Sequence, residues 1–273
     1  MQKSFSTPEP IALYVEIGAG DVTVQASDVT ETVIDVDGPH ADETTVEHRG
    51  DQIVVIGPRR NTGFFGGGNQ LSVHVTLPAR SNLATKLGSA DLSAHGTLGS
   101  CSLKTGSGDI GLQDVDGDLN VESGSGDLGI RTVTGDTRVK SGSGDVLAER
   151  FDGDAVISTG SGNVEIGVAG GEVQVKSGSG DMRVREAHDG VGLSTASGDL
   201  LVDSFQRGEL HASNVSGDIR VGVPAGIPVW TDISTVTGSV HSSLQGAGQP
   251  GEGQDYIELR AKTVSGDISL EQL

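Results

Sequence analysis

Gly106-Ser107-Gly108-Asp109 is a four-residue phrase that returns along the chain as Gly124-Ser125-Gly126-Asp127, Gly142-Ser143-Gly144-Asp145, Gly160-Ser161-Gly162-Asn163 and Gly178-Ser179-Gly180-Asp181. With Asp91 before them and Asp199 after them, the seven Asp or Asn positions stand 18 residues apart. A weaker Gly-Asp pair recurs halfway between, at Gly117-Asp118, Gly135-Asp136 and Gly153-Asp154. The unit is therefore a nine-residue half-coil, and two half-coils make one turn of a repeat structure.

Apolar residues keep the same 18-residue period. Within each half-coil they alternate with polar residues, which is the mark of a β-strand with one buried face. Equivalent residues of stacked coils lie about 4.8 Å apart, so each series predicts a ladder of core side chains. The predicted inward residues after the Asp are Leu92, Ile110, Leu128, Val146, Val164, Met182 and Leu200, then Ala94, Leu112, Ile130, Ala148, Ile166, Val184 and Val202. Those of the second strand are Cys101, Leu119, Thr137, Ala155, Val173 and Val191, then Leu103, Val121, Val139, Ile157, Val175 and Leu193, and an edge of the core is assigned to Val115, Val133, Phe151 and Phe205.

These patterns predict an all-β fold, a β-solenoid (parallel β-helix) with 18-residue coils of two short strands. Glycine supplies 43 residues, whereas Phe, Tyr and Trp supply 5, 2 and 1, which suits a thin aliphatic core between two sheets. Residues 81–273 are predicted to form the solenoid with irregular C-terminal coils, and residues 1–80 to cap its start with strands and hairpins. We expect one continuous body, with Trp230 serving as an end cap rather than as a binding platform.

The formal net charge of −20 argues against binding to nucleic acid or to anionic membranes, both of which demand basic surface. It is compatible with high solubility, or with an acidic face that attracts cations or basic partners. The start of the chain, from Met1 to Pro10, lacks the apolar segment of a signal peptide, and no run approaches the roughly 20 apolar residues of a membrane span. A cytoplasmic protein without membrane insertion is therefore expected.

Aspartates at the repeat turn form the strongest candidate for a metal site. Neighbouring carboxylates about 4.8 Å apart repel by roughly 1 kcal/mol in water, and backbone N–H groups, lysines or bound cations must offset that repulsion. Candidate calcium ligands are Asp109, Asp127, Asp145, Asp181 and Asp199, with Asn163 as a neutral member of the row.

A nine-residue Gly-Asp period invites comparison with calcium-binding β-rolls, whose repeat is Gly-Gly-x-Gly-x-Asp-x-apolar-x. Here Asp109 follows Gly108 directly, without the intervening residue of the calcium motif. In a strand of period two, that shift by one turns the ligand to the other face. No cofactor is therefore predicted, and a calcium-stabilised β-roll stays as the alternative.

A second candidate site lies in a glycine-rich loop. Arg59 and Arg60 stand close to Phe64 and Phe65 within Arg59-Arg60-Asn61-Thr62-Gly63-Phe64-Phe65-Gly66-Gly67-Gly68. This combination of aromatic and basic residues suits contact with a partner. The competing interpretation is that the phenylalanines fold back onto the end coil.

Catalytic groups form no coherent set. The seven histidines (His40, His48, His74, His95, His188, His211 and His241) share no repeat position and lack the close pairing of a zinc site. Cys101 is the single cysteine and occupies an inward position, which predicts a buried, inert thiol. We therefore predict that the protein is not an enzyme, with a carbohydrate-active β-helix as a lower alternative because the fold itself permits catalysis.

Taken together, several segments resemble a bacterial family of β-strand-repeat proteins of unknown function named "putative adhesins", in particular its actinobacterial members. The segments are Phe5-Ser6-Thr7-Pro8-Glu9-Pro10-Ile11, the strand Leu71 to Leu77 followed by Pro78, the Ser-Gly-Ser-Gly-Asp repeats, Val223-Pro224 with Val229-Trp230, and Thr263-Val264-Ser265-Gly266-Asp267-Ile268. The resemblance implies a β-helical fold without established catalytic residues.

The leading functional hypothesis is a non-catalytic solenoid that acts as a scaffold or as a protein-binding, adhesin-like module. Its partner is expected to be another protein or a second copy of the chain, the latter by head-to-tail assembly through exposed end coils.

Overall fold

The computed structural model describes residues 1–58, 70–245 and 256–273, which form two compact units, Met1–Gly135 and Asp136–Leu273. Within these described residues all regular structure is β-strand, apart from one short 3₁₀ turn at Ala41–Glu43. The prediction of an all-β solenoid is confirmed in each unit. Arg59, Arg60, Phe64 and Phe65, the predicted partner-binding residues, lie outside the described residues.

The first unit contains eleven strands in its described residues. They are β1 (Gln2–Ser6), β2 (Ala12–Ser27), β3 (Glu31–Asp37), β4 (Thr45–Arg49), β5 (Gln52–Ile56), β6 (Leu71–Pro78), β7 (Asn82–Leu98), β8 (Cys101–Ser107), β9 (Ile110–Val115), β10 (Leu119–Ser125) and β11 (Leu128–Val133). The long strands β2 and β7 each run through a whole coil, and later coils are divided into two strands.

In the first unit, parallel pairing begins at β2, which precedes the part of the chain where the 18-residue period is visible in the sequence. Strand β2 pairs in parallel with β7, so that Asp21 stands beside Asp91, and β7 in turn pairs with both β8 and β9. On its other side β2 pairs in parallel with β5 and β6. Partners in β2 and β7 are 70 residues apart, since the segment between them adds other strands, and no 18-residue period could reveal this coil.

The outer strands of the first unit are antiparallel. β3 pairs with β6, β1 pairs with β3, and β4 pairs with β5, all in the antiparallel sense. The Lys3 Nζ of β1 donates a hydrogen bond of 3.0 Å to the Val46 carbonyl of β4, which joins the two outer strands. The parallel stack therefore ends, on this side, in antiparallel strands that carry charged residues.

The second unit contains fourteen strands in its described residues. They are β12 (Thr137–Ser143), β13 (Val146–Phe151), β14 (Ala155–Ser161), β15 (Val164–Ala169), β16 (Val173–Ser179), β17 (Met182–Ala187), β18 (Val191–Ser197), β19 (Leu200–Phe205), β20 (Gly208–Ser213), β21 (Ile219–Val223), β22 (Val229–Thr237), β23 (Val240–Ser242), β24 (Ile257–Ser265) and β25 (Ile268–Gln272). From β12 to β19 each strand pairs in parallel with the second strand after it, as coils of two strands require.

Strand order changes at the end of this unit. β24 pairs in parallel with β20 on one edge and with β22 on the other, and β25 lies in the same way between β21 and β23. The last coil in the sequence is therefore the second-last coil in space, and β22 with β23 forms the closing coil. Trp230 stands beside Glu258 in this register, faces outward and is 53% exposed, so the expectation that it caps the core is wrong.

The core consists of the predicted ladders. Every inward residue assigned from the repeat is buried, and so are the edge residues Val115, Val133, Phe151 and Phe205. In the second unit Phe151, Ala169, Ala187 and Phe205 pair in succession, so that two small residues lie between two large ones. A thin aliphatic core of this kind needs few aromatic side chains.

The turn at the repeat phrase depends on glycine for two reasons. Gly126 has a φ of +119°, a conformation that L-residues rarely adopt. A Cβ at this position would also lie 2.4 Å from the carbonyl oxygen of Gly108 in the neighbouring coil. Beside the turn, a Ser or Thr hydroxyl four residues before the Asp donates to the carbonyl two residues ahead, for example from Ser177 to Ser179 at 2.8 Å.

Candidate functional site

The turn aspartates form a hydrogen-bonded ladder between coils. In the first unit the backbone N–H of Asp109 donates to Asp91 Oδ1 at 2.9 Å, and that of Asp127 donates to Asp109 Oδ1 at 2.8 Å. In the second unit the same bond, of 2.7–2.9 Å, joins the successive residues Asp145, Asn163, Asp181, Asp199, Asp218 and Asp267. Each side chain thus accepts the backbone N–H of the next coil.

Backbone N–H groups, lysines and bound cations are three ways of offsetting carboxylate repulsion, and this geometry shows the first of them. A backbone N–H directed at a carboxylate oxygen offsets part of the repulsion without a bound ion. Asn163 takes the same position as the aspartates and accepts from Asp181 at 2.9 Å, so the bond needs a side-chain carbonyl-type oxygen but not a charge. The described residues contain no cluster of three or more His, Cys, Asp or Glu arranged to hold a metal ion. Calcium binding by Asp109, Asp127, Asp145, Asp181 and Asp199 stays an untested prediction.

The ladder ends with a change of residue. In the closing coil Ser239 occupies the turn position, and its backbone N–H donates to Asp267 Oδ1 at 2.7 Å. The backbone N–H of Ser239 is thus the last donor of the ladder, and a short hydroxyl side chain stands where the earlier coils have a carboxylate. The carboxylates therefore occur where another coil follows, which indicates a structural role for the ladder.

A second ladder occupies the turns halfway round the coil. In the second unit Asp136 Oδ1 accepts from the N–H of Asp154 at 3.3 Å, and Asp154 Oδ1 accepts from the N–H of Glu172 at 2.9 Å. In the first unit Asn82 Oδ1 accepts the N–H of Ser100 at 2.9 Å, and Ser100 Oγ accepts the N–H of Asp118 at 3.2 Å. The halfway Gly-Asp pairs are visible in the sequence, but their role as acceptors between coils is not.

A depression of about 460 Å³ lies on the outer face of β16, β18 and β20 in the second unit. Gly192 forms its floor, because it stands between Gln174 and His211 and carries no side chain. A Cβ there would meet nothing nearer than the Gln174 Cγ, at 3.6 Å, so the space above the glycine is open. Nothing in the repeat pattern marks this site, since it depends on one small residue at an outward position.

Carboxylates surround the depression. Glu172, Asp189 and Glu209 line it, with Lys176 as the one Lys or Arg of the lining. Glu172 accepts from the Gln174 amide at 2.9 Å, whereas the ion pair of Glu209 with Arg260 is long, at 3.8 Å. Asp189 accepts the N–H of Gly190 at 2.8 Å, and its ion pair with Arg207 is also 3.8 Å long. Exposed ion pairs of this length contribute little, so Asp189 and Glu209 can exchange them for an external cation.

The predicted state of Cys101 is confirmed. The residue is buried, and burial raises the pKa of its thiol to about 12 against the lowering effect of a backbone hydrogen bond from Leu83. Its Sγ lies 3.6 Å from the Gly99 carbonyl, which accepts the thiol proton. A thiol in this state is neutral at physiological pH and is a poor nucleophile.

Charged groups on the outer faces mostly pair with one another. Lys104 bonds Glu122 at 2.9 Å in the first unit, and in the second Arg183 bonds Asp203 at 2.7 Å. The pKa of Arg183 is raised by its hydrogen bond to Asp203 and by the charge of that carboxylate. These contacts show a charge-mixed, solvated strand face in each unit. No helix in the described part of the chain has the length and apolar character needed to cross a membrane.

Solved structures similar to this chain were found at low identity. A "putative adhesin" from Bacteroides fragilis NCTC 9343 is 11% identical, with 100% of this chain and 96% of that chain covered and a TM-score of 0.36. A "putative adhesin" from Parabacteroides distasonis ATCC 8503 is 12% identical, with coverage of 99% and 96% and a TM-score of 0.42. A "putative lipid binding protein" from the same organism is 11% identical, with coverage of 100% and 96% and a TM-score of 0.35.

Among curated proteins, none is significantly similar in sequence to this chain. A family model, described as Toastrack DUF4097, matches twice, over residues 10–169 and over residues 116–271. The two matches overlap, as expected where one repeat can be aligned at several coils, and together they include both ladders and the closing coil. From its repeats to its closing coil, this chain belongs to the Toastrack DUF4097 family.

Proposed function

We propose that the chain is a non-catalytic, adhesin-like binding module that engages a protein partner through basic side chains. The observation that carries this proposal is the depression over Gly192, an open hollow on a regular sheet face with Glu172, Asp189 and Glu209 around it. A Lys or Arg side chain of a partner fits such a hollow, because its stem is apolar and its head is cationic.

The wider charge of the chain supports a basic partner. A formal net charge of −20 attracts cationic surfaces over a distance and raises the rate of their encounter. The pairing of outward Arg and Lys with neighbouring carboxylates, as in Arg183 with Asp203, leaves the acidic excess to dominate. The solenoid coils hold the hollow in one shape, so little ordering is needed when a partner binds.

The absence of catalysis is part of the same proposal. Burial and a raised pKa make Cys101 a poor nucleophile, and the turn aspartates are occupied by backbone N–H groups of the next coil. His211, the one histidine that lines the hollow, stands beside Gly192 in the strand register. Saturable turnover of a glycan or an ester, lost when one of these groups is substituted, would overturn the non-catalytic assignment.

Binding of a short Lys/Arg-rich peptide, followed by fluorescence anisotropy, tests the hollow. We expect saturable binding that weakens as salt is added, and a loss of about tenfold in the Glu172→Gln, Glu209→Gln double variant. The glutamine placed at position 172 still offers a side-chain oxygen to the Gln174 amide, which donates there in the native chain. The fold is therefore expected to be retained.

The matched control changes net charge by the same amount elsewhere. Glu9→Gln with Asp28→Asn replaces two exposed carboxylates of the first unit and is expected to leave peptide affinity within about twofold. Equal losses in the two double variants would mean that net charge, and not the hollow, attracts the peptide. That result would contradict the proposed site.

A further inference from the structure

The closing coil of the second unit has an open edge. β22 (Val229–Thr237) pairs with β24 along one side, and among the residues that the structure describes no strand pairs with its other side. This edge is nine residues long, above the usual length of strands, and it holds no proline or glycine. A long, regular edge strand is a template for pairing with another chain.

Backbone geometry shows which groups face outward along this edge. The Pro228 carbonyl accepts the N–H of Ile257, so the even-numbered residues of β22 direct their peptide groups towards β24. Because successive residues of a strand point their N–H and C=O to opposite sides, the odd-numbered residues from Val229 to Thr235 direct theirs away from β24. At Thr237 the alternation ends, since its carbonyl accepts the N–H of Gly266. Ile233, at the centre of the strand, therefore presents both a donor and an acceptor outward.

The side chains of the closing coil are unusually apolar for a surface. Trp230 is 53% exposed, Val236 76% and Val240 47%, and Ile233 is half-buried at the open end of the core. Within β22 and β23 the sole Asp, Glu, Lys or Arg is Asp232, and Lys262 neutralises it at 3.3 Å. In a chain with a net charge of −20, this coil is a nearly neutral patch.

The outer strands of the first unit differ in this respect. β4 carries Glu47, His48 and Arg49, and Arg49 forms an ion pair with Glu47. Charged side chains of this kind discourage pairing at an exposed edge. The closing coil lacks that protection, which is unfavourable for a strand that stays in water.

We propose that two copies of this chain pair through β22, antiparallel, about a two-fold axis at Ile233. In that register Ile233 lies opposite Ile233 of the second copy and exchanges two hydrogen bonds with it. The strand reads nearly alike in both directions, so the inner pairs are matched in polarity: Trp230 with Val236, Thr231 with Thr235, and Asp232 with Ser234. The end pair, Val229 with Thr237, is unlike in polarity, and the Thr237 carbonyl is bonded to the N–H of Gly266.

Self-pairing suits these residues better than pairing with an acidic or basic partner would. Trp230 and Val236 would cover each other twice across the axis, and aromatic with β-branched pairs are favourable neighbours in antiparallel sheets. Asp232 would face Ser234, so that like charges do not meet.

The direction of the pairing follows from the end of the aspartate ladder. A further parallel coil would have only the Ser239 hydroxyl as acceptor for its turn N–H, where Asp267 and Asp218 supply a carboxylate at 2.7 and 2.8 Å. The hydroxyl is the poorer acceptor here, since the corresponding bond to Ser100 in the halfway ladder is longer, at 3.2 Å. Head-to-tail stacking is therefore disfavoured at this end. An isologous antiparallel pair closes at two copies and gives a dimer rather than a filament.

Sedimentation of the whole chain over a range of concentrations tests the dimer. We expect a monomer–dimer equilibrium, a blue shift of the emission of Trp230 as dimer forms, and a loss of at least tenfold in dimer affinity for Val236→Glu. Val236 is 76% exposed, so this substitution leaves the core untouched.

Val215→Glu is the matched control. Val215 is 54% exposed and faces outward two strands away from the edge, so the same substitution there is expected to leave dimerisation unchanged. A strict monomer at the highest concentration, or equal effects of the two substitutions, would overturn the proposal. A larger assembly would replace it with an open stacking mode.

Cysteine cross-linking tests the register. Ile233→Cys is expected to give a covalent dimer under mild oxidation, because the position lies opposite itself, whereas Thr231→Cys lies about 13 Å from its own copy and is expected to stay unlinked. Cys101 is buried and does not interfere. Equal cross-linking at both positions would exclude the Ile233-centred pair. Arg260 links the hollow over Gly192 to this edge, because it pairs with Glu209 at 3.8 Å and lies over the Trp230 ring. The single variant Glu172→Gln leaves Arg260 and its partners unchanged and is expected to dimerise normally.

Discussion

The regular coils and the closing coil of the second unit share one backbone geometry but differ in how many of their groups have a partner. In a regular coil the inward residues, such as Val175 and Leu193, are almost completely buried, and the turn carboxylate accepts an N–H from the next coil. In the closing coil the inward Ile233 is half-buried, and Ser239 stands in the place of the carboxylate. The repeat is thus complete only where coils have neighbours on both sides.

This difference separates what stabilises the fold from what is available for interaction. The buried side chains, the turn glycines and the aspartate ladder make their contacts within the stack, since each contact joins one coil to the next. These groups are therefore not available to a partner. The closing coil keeps an unused set of peptide groups and exposed apolar side chains at Trp230 and Val236. Interaction therefore belongs to the end and to hollows on the faces, and substitutions inside the repeat are expected to change stability.

The largest effect is expected at the turn glycine. Gly126→Ala should destabilise the protein by about 3 kcal/mol, because its φ of +119° disfavours L-residues and the new Cβ would lie 2.4 Å from the Gly108 carbonyl oxygen. Chemical denaturation followed by circular dichroism measures this change.

Gly129, three residues further along, provides the control. A Cβ there would meet nothing nearer than 4.0 Å, so Gly129→Ala is expected to be neutral or to stabilise by about 0.5 kcal/mol. Similar destabilisation by both substitutions would mean that the turn geometry is not what requires glycine in the repeat.

Much of this architecture follows from the sequence because the period is local. A residue 18 positions away is a neighbour in the next coil, so the apolar ladders and the turn glycines can be assigned from spacing alone, and the structure confirms each ladder. The same argument fails where partners are separated irregularly. Asp218 and Asp267 are 49 residues apart, since β22 and β23 intervene in the sequence but not in space.

The functional features were harder to predict for a related reason. The hollow over Gly192 depends on an outward glycine between two larger residues, and outward positions have no regular pattern. The sequence predicts a capping role for Trp230 because terminal coils must cover an exposed core, whereas its place in β22 turns it outward. The direction in which a side chain faces can be assigned only when the strand register is known, and the register of the closing coil does not follow the 18-residue period.

A smaller effect is expected within the aspartate ladder. Asp181→Ala removes the acceptor for the N–H of Asp199, at 2.8 Å, and is expected to cost about 1 kcal/mol, since water replaces part of the bond at this exposed turn. Asp181→Asn should cost less, because Asn163 performs the same role in the native chain.

The melting curves of these two variants discriminate between structural and metal-binding roles. If the N–H bonds are what matters, chelator and millimolar calcium give the same melting temperature for the native chain and for Asp181→Asn. A calcium-dependent rise of many degrees in the native chain that is lost in Asp181→Asn would instead support the β-roll alternative.

The smallest effect is expected at the last position of the ladder. Ser239→Asp restores the repeat residue in the closing coil, but a carboxylate there gains nothing unless another backbone N–H lies beyond it. Measured at low concentration, the free energy of unfolding should change by less than about 0.3 kcal/mol, whereas a gain close to that of an interior aspartate would reveal a further parallel coil stacked on β23. An unchanged stability, together with dimerisation that persists in this variant, would mean that the second copy joins through the antiparallel β22 edge and not through an extension of the ladder.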